Sequence, residues 1–275
     1  MEQQYLALLS DVLENGTAKE TRNGSVLSKF GAQLQCDLSE GFPLLTTKKM
    51  FWRGIVEELS WFLRGSTNVQ ELRDKKVHIW DANSEERGYD AGPVYGFQWR
   101  HYGAQYLDCH TDYIGQGVDQ VGEVVELLRH NPHSRRMVLS AWCPTQHGEM
   151  CLPPCHVMYQ FYVESDDRVS CMMTQRSADV FLGLPFNIAS TALLTALVAH
   201  QVGRQPGRLL INVGDAHIYQ EHVDACRRQL ARPPLPLPGI CVDRPTYDNL
   251  WTFTAADVVL TNYKSHGTIK AKMKA

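Results

Sequence analysis

The least polar long run in the chain, residues 183–199, is interrupted by Asn187, Ser190, Thr191 and Thr195. It falls short of the ~20 apolar residues that a membrane span requires, so it reads as a buried helix rather than an anchor. The chain around it is large enough for a sizeable core, with 275 residues of which 44% are hydrophobic. No internal repeat, low-complexity tract or long Gly/Ser linker divides it, which predicts one compact unit over residues 1–275. Motifs distant in sequence can then share one site. With 27 Lys and Arg against 30 Asp and Glu, the formal charge is −3, so no large positive field gathers nucleic acid and charge recognition is local. Eight scattered cysteines, behind an N-terminus with no basic stretch leading into an apolar one, predict a cytoplasmic or nuclear protein with reduced thiols.

Tyr5, Leu8, Leu9, Val12 and Leu13 fall at helical spacing and stop at Gly16, predicting a first helix closed by a left-handed cap. Phe51, Ile55, Leu59 and Phe62, flanked by Trp52, Val56 and Leu63, make a second helix whose apolar arc is too wide for the surface, with Glu58 inside it. Thr67 to Gln70 has the form of a capping box opening a short helix towards Ile79 and Trp80. Val118, Val121, Val125 and Leu128 mark another helix ending at Asn131-Pro132. Strands are predicted over 137–142, 156–163, 168–175 and 208–213, with a hairpin turn at 164–167 and helices over 186–201 and 217–230. This order is neither a regular βαβ alternation nor strands followed by helices, which points to an α+β fold with a mixed β-sheet.

Cys143-Pro-Thr-Gln-His147-Gly-Glu149-Met-Cys151-Leu-Pro-Pro-Cys155-His156 crowds thiols, imidazoles and a carboxylate together. His147-Gly148-Glu149 matches half of a zinc deaminase signature, but Cys151 and Cys155 follow too closely and at the wrong spacing. A single nucleophilic cysteine fits better. Cys155 is the candidate, because Pro153-Pro154 fix the backbone before it and a strand begins after it. A thiol that attacks at neutral pH needs cationic neighbours, which Arg135-Arg136 and Arg176 could supply while binding an anion. The plainer alternative makes the cysteines small buried hydrophobes and the arginines surface ion pairs.

Gln175-Arg176-Ser177-Ala178-Asp179 precedes Gly183-Leu-Pro-Phe-Asn187, a turn that gathers polar groups over a core. Arg176 with Ser177 suits a phosphate, Asn187 a lactam edge, and Asp179 a ring with N–H donors, although Ser, Asp and Asn also serve as ordinary caps. His217 and Tyr219, at a strand end, could bind sugar hydroxyls. Gly115-Gln-Gly117 lacks the strand and third glycine of a dinucleotide loop. Pro233-Pro-Leu-Pro-Leu-Pro238 reads as a stiff loop.

Leu152-Pro-Pro-Cys155-His156, Gln175-Arg-Ser177 and Gly183-Leu-Pro-Phe-Asn-Ile-Ala-Ser190 together resemble the thymidylate synthase family. Phe42-Pro-Leu-Leu-Thr-Thr-Lys48, Glu57-Glu-Leu-Ser-Trp-Phe62, Ile79-Trp-Asp81, Gly92-Pro-Val-Tyr-Gly-Phe-Gln-Trp-Arg100, Ser134-Arg-Arg136 and Gly214-Asp-Ala-His217 follow in family order, so the resemblance covers nearly the whole chain. It implies a single-domain α+β fold, a mixed sheet covered by helices, with one sheet face packed in an obligate homodimer. It implies reductive methylation of dUMP to dTMP, with 5,10-methylenetetrahydrofolate giving both carbon and hydride and leaving as dihydrofolate. Neither a metal nor a nicotinamide cofactor is needed, no membrane is involved, and nucleic acid is not required.

By the same resemblance Cys155 adds to uracil C6, Tyr95 helps remove the C5 proton, Glu58 organises water, and Asn187 reads uracil against cytosine. Arg22, Gln175, Arg176 and Ser177 would bind dUMP with Asp179 and Asn187, Arg135 and Arg136 would reach its phosphate from the partner subunit, and His217 and Tyr219 would hold the ribose 3′-hydroxyl. Ile79, Trp80, Asn83, Asp179, Leu182, Gly183 and Phe186 would form the folate side, with Trp80 shielding the methylene intermediate from water. The chain departs from the family at Arg22-Asn-Gly-Ser-Val-Leu27, one residue shorter, and at Tyr263-Lys-Ser-His-Gly267, where two prolines are lost and a freer tail is expected. Thr191 and Ala178 replace a usual tyrosine and a usual cysteine or glycine, and read as repacking. The nearest competitor is a dUMP hydroxymethylase of the same fold, in which water captures the intermediate. A non-catalytic RNA-binding relative would lack Cys155, Tyr95, Asn187 or Arg176, all of which are present.

Overall fold

A computed structural model describes residues 1–245 and 249–274; residues 246–248 and 275 of the predicted single unit lie outside the described residues. A sheet of six strands runs in the order β1 (Thr17–Thr21), β2 (Gly24–Asp37), β6 (Pro206–Tyr219), β5 (Val169–Asp179), β4 (His156–Val163) and β3 (Val138–Ser140). Only β5 and β6 pair in parallel, so the sheet is mixed, as the irregular order of elements predicts. A separate two-stranded ribbon joins β7 (Gly239–Val242) to β8 (Val258–Thr261).

The predicted buried helix is α7 (Gly183–Gln201), which packs against β5 and β6 and is buried on every side. Its length and composition would suit a membrane span, but its apolar surface is spent inside the protein. Against it lies α2 (Trp52–Leu63), which also meets α5 (Tyr95–His101). The aromatic residues of these helices lock together: Phe62 lies 4.9 Å from Tyr95 and 5.5 Å from Trp99, and Trp61 lies 5.6 Å from Trp80. Rings that are mutually packed this way have few alternative rotamers, so the floor they build is rigid. Helices α1 (Glu2–Asn15), α3 (Gln70–Asp74), α4 (Asp81–Ser84), α6 (Gln120–His130) and α8 (Val223–Leu230) complete the helical side. The other face of the sheet carries the cross-strand neighbours Met158 and Thr174, Met172 and Leu210, all half-buried.

Several local expectations differ from the structure. Gly16 is extended, with φ −70°, rather than left-handed. A glycine is needed there for space, since a Cβ would stand 2.3 Å from the Val12 carbonyl oxygen. Thr67 caps no helix, because its hydroxyl is taken by the Tyr106 hydroxyl at 2.8 Å, and α3 ends at Asp74, well before Ile79. The helix expected over 217–230 starts only at Val223, because β6 runs through Tyr219 and a 3₁₀ turn intervenes. The strand expected over 137–142 covers only β3, and the polar turn expected at 175–179 is the end of β5 itself. The tail is not freed by its lost prolines. Tyr263 donates to the Leu45 carbonyl at 2.8 Å, the His266 amide to Thr46 at 2.8 Å, and Arg232 to the Gly267 carbonyl at 2.6 Å.

Candidate active site

Strand register explains why distant motifs converge. Parallel pairing sets Ser177 opposite Asp215 and Asp179 opposite His217, while antiparallel pairing sets Gln175 opposite His156. The ends of β5 and β6 and the start of β4 therefore open onto one place, over the N-terminal turns of α7. There a cavity of about 600 Å³ is lined by Cys155, Arg176, Gln175, Ser177, His217 and Tyr219 on the sheet side. Glu58, Tyr95 and Asn187 line it too, as do Ile79, Trp80, Asn83, Asp179, Leu182, Gly183 and Phe186. The β1–β2 hairpin turns at Arg22-Asn23 and brings both residues to the rim. Arg135 and Arg136 are exposed and do not line this cavity.

Cys155 is held from two sides. Its amide donates to the Tyr95 hydroxyl at 2.7 Å, and its carbonyl accepts from the Arg176 amide at 2.8 Å. Arg176 then fixes the approach segment, donating to the carbonyls of Pro154 at 2.8 Å and Pro153 at 3.0 Å. This leaves a guanidinium nitrogen 4.0 Å from the Cys155 sulfur. Burial pushes the thiol up, while Arg176, a hydrogen bond from Tyr95 and the more distant Arg22 pull it down. A bound anion would occupy the same guanidinium. Tyr95 stacks on His156 with ring centroids 4.1 Å apart, and its own burial holds it protonated. His156 is neutral, since burial pushes it down to about 3, and its Nδ1 meets the Tyr159 hydroxyl at 2.7 Å.

Glu58 accepts from the Trp80 indole at 2.7 Å, and burial pushes its carboxyl up to about 7. A carboxyl poised there can hold or release a proton near neutrality. The sign of its effect on stability follows: between about 4.5 and 7 the folded state binds a proton that the unfolded chain has lost, so stability falls as pH rises through that window. Glu58→Gln should remove this slope, making the variant more stable than the parent at pH 8 by on the order of 3 kcal/mol. Urea midpoints at pH 5 and 8 check it, and parallel pH dependences would refute it.

Asn187 stands one turn into α7, and its Oδ1 accepts from Gln175 Nε2 at 3.0 Å. Gln175 Nε2 is in turn fixed on the Ser177 carbonyl at 2.9 Å. The Asn187 amide is thereby oriented, with Nδ2 free to donate and Oδ1 able to accept once more. Asp179 caps the following turn, its Oδ1 accepting from the amides of Phe181 at 2.9 Å and Leu182 at 3.1 Å. The capping alternative is thus real for Asp179, yet its second oxygen remains unused by that cap. Of the two substitutions read as repacking, Thr191 bonds back to the Asn187 carbonyl at 2.7 Å and Ala178 is buried opposite Ala216. His147, from the rejected zinc signature, packs against Trp142 at 4.1 Å.

Sequence reasoning missed several lining residues. Lys19, Asn23, Asp215, Met273 and Lys274 also face the cavity. The Asn23-Gly24 pair was the available signal for the hairpin, with no apolar alternation before it to support it. Asp215 shares a strand face with His217 at i,i+2 and meets its Nδ1 at 3.2 Å.

The thymidylate synthase family model matches residues 3–275. The chain belongs to that family. A putative bifunctional dihydrofolate reductase-thymidylate synthase of Oryza sativa subsp. japonica is 46% identical, over 99% of this chain and 57% of the relative. The bifunctional dihydrofolate reductase-thymidylate synthase of Glycine max is 48% identical over 98% of this chain and 53% of its own length. A thymidylate synthase of human herpesvirus 8 is 46% identical, over 99% of this chain and 84% of the relative. The chain spans about half the length of the bifunctional relatives it matches.

Proposed function

We propose that this chain catalyses the thymidylate synthase reaction, converting dUMP and 5,10-methylenetetrahydrofolate to dTMP and dihydrofolate. The observation that carries the reading is Cys155, held between Tyr95 and Arg176 in a cavity that is also lined by an oriented Asn187 amide. The phosphate of dUMP binds Arg176, Ser177 and Arg22, and displaces the guanidinium charge from the thiol only in part. His217 and Tyr219 take the ribose hydroxyl. Asn187 donates from Nδ2 to uracil O4 and accepts N3–H on Oδ1.

Cys155 thiolate adds to C6, the C5–C6 double bond opens, and C5 attacks the methylene carbon of the folate, forming a carbon–carbon bond as the bond from that carbon to N10 opens and N10 takes up a proton. The C5 proton leaves with help from Tyr95 and water ordered by Glu58. The remaining bond from the methylene to N5 then breaks, freeing tetrahydrofolate and an exocyclic methylene, a hydride passes from the reduced pterin to that methylene, and Cys155 departs from C6 as the C5–C6 double bond re-forms. Trp80, fixed by Glu58, limits water on that face.

Arg135 and Arg136 act on the phosphate of the partner subunit, in a homodimer built on the helix-free sheet face. Their exposure away from their own cavity, together with the half-buried Met158, Met172 and Leu210 on that face, supports this arrangement. A cytoplasmic setting suits eight cysteines that are all unpaired.

The test is to supply both substrates, follow dihydrofolate by absorbance and weigh the nucleotide product. Equal amounts of dihydrofolate and dTMP are expected. Hydroxymethyl-dUMP with tetrahydrofolate would instead assign a hydroxymethylase.

A further inference from the structure

Residues 269–274 are anchored to the core by Ile269 and Ala271, with exposed residues between and beyond them. Ile269 is buried, but beyond it Lys270, Lys272 and Met273 are exposed, and the segment crosses a second cavity of about 270 Å³ lined by Glu221, His222, Arg228, Lys270 and Lys272. Ala271, Met273 and Lys274 nevertheless reach the rim of the main cavity. Two polar contacts among the described residues hold this stretch, beside the packing of Ala271 on the core. One is an ion pair at the surface, Lys274 to Glu221 at 3.0 Å, of a kind worth little in water. The other is buried: His222 Nε2 meets the Lys272 carbonyl at 2.9 Å.

His222 is 1% exposed, at the 3₁₀ turn between β6 and α8. A carbonyl can only accept, so Nε2 carries the proton. The opposite nitrogen, Nδ1, has no hydrogen-bond partner among the described residues and stands 3.9 Å from Asp179 Oδ2. That is the oxygen left over by the Asp179 cap, whose Oδ1 is committed to the Phe181 and Leu182 amides. The ring is wedged between Phe181 at 5.7 Å and Tyr219 at 5.6 Å, which leaves it little room to turn.

We propose that His222 is a positioning residue that latches the C-terminal segment, through the Lys272 carbonyl, onto the Asp179 wall of the main cavity. When the segment is docked, the hydrogen bond sets the ring angle and the ring backs Asp179. When it lifts, the ring loses its fixed partner and Asp179 loses its rigid support. The coupling to folate rests on the proposed function; the latch itself does not.

Trypsin provides a direct readout, because the peptide bond it would cut after Lys272 contains the carbonyl that His222 holds. Intact-mass spectrometry follows loss of residues 273–275 from the native full chain in the parent, His222→Phe and His222→Gln. Phe keeps the ring without the donor, and Gln keeps a donor near Nε2. Loss of one such bond should speed cleavage after Lys272 about fivefold to tenfold in His222→Phe, with Gln restoring protection. Cleavage after exposed Arg87, measured together, should be the same in all three. Equal cleavage after Lys272 in parent and His222→Phe, or acceleration after Lys272 and Arg87 alike, overturns the latch. In the steady state, His222→Phe should raise KM for methylenetetrahydrofolate at least about threefold and raise KM for dUMP by less. Faster cleavage with an unchanged folate KM overturns the coupling to Asp179. A parent chain inactive on both substrates would instead defeat the proposed function, while the proteolysis still judges the latch.

Discussion

Cys155→Ser should lower kcat by about 10⁴-fold or more while leaving dUMP affinity within a few-fold of the parent. A hydroxyl fills the same space and keeps the backbone contacts to Tyr95 and Arg176, so the cavity stays built. What it lacks is an accessible anion. Burial already works against the Cys155 thiolate, and among the described residues Arg176, Tyr95 and Arg22 offset it in part. The same surroundings cannot bring a serine hydroxyl, far less acidic, to an attacking form. Isothermal titration with dUMP and steady-state turnover separate the two effects. Retained turnover in the serine variant would remove Cys155 from the chemistry.

Asn187→Asp should invert nucleotide preference, lowering kcat/KM for dUMP by about 10³-fold and creating measurable methylation of dCMP. The orientation of the Asn187 amide is fixed by Gln175, which donates to Oδ1 at 3.0 Å. Uracil presents O4 as acceptor and N3–H as donor, a match for that amide. Cytosine presents the reverse, and a protonated carboxyl in the same place matches it, donating to N3 and accepting from the exocyclic amine. Competition between dUMP and dCMP, with products resolved by mass, measures the ratio. An unchanged ratio would take Asn187 out of base recognition.

The chemistry of the site was more legible in the sequence than its scaffold. Cys155, Arg176 and Asn187 stand out because their neighbours are informative: a Pro-Pro pair, a polar run after a strand, and a helix that must be buried. Strand β4 was legible to the residue, since Val157, Tyr159, Phe161 and Val163 alternate. The β1–β2 hairpin was not, because β1 is exposed throughout and shows no apolar period. Its place is set by pairing of β2 with β6, a contact between residues far apart in sequence. The ends of β5 and β6 were misread for a related reason. Polar residues such as Arg176, Ser177, Asp215 and His217 look like loop, yet they stay in the sheet because a ladder partner satisfies their backbone while their side chains face a cavity. The tail was expected to be loose from its missing prolines, but Tyr263, His266 and Arg232 supply hydrogen bonds that no local pattern announces. Arg135 and Arg136 stand exposed and outside the cavity of their own chain, so one chain by itself gives their charge no ligand to meet.

The central claim is that Cys155 becomes covalently bound to the pyrimidine during turnover. The measurement that tests it most directly is to quench the reaction in denaturant during the steady state, digest the protein and weigh the peptide carrying Cys155. A mass increase equal to dUMP plus the methylene-linked folate, on Cys155 and absent from Cys155→Ser, is the predicted result. Turnover to dTMP with no adduct on that peptide, or with the adduct on another cysteine, would contradict it.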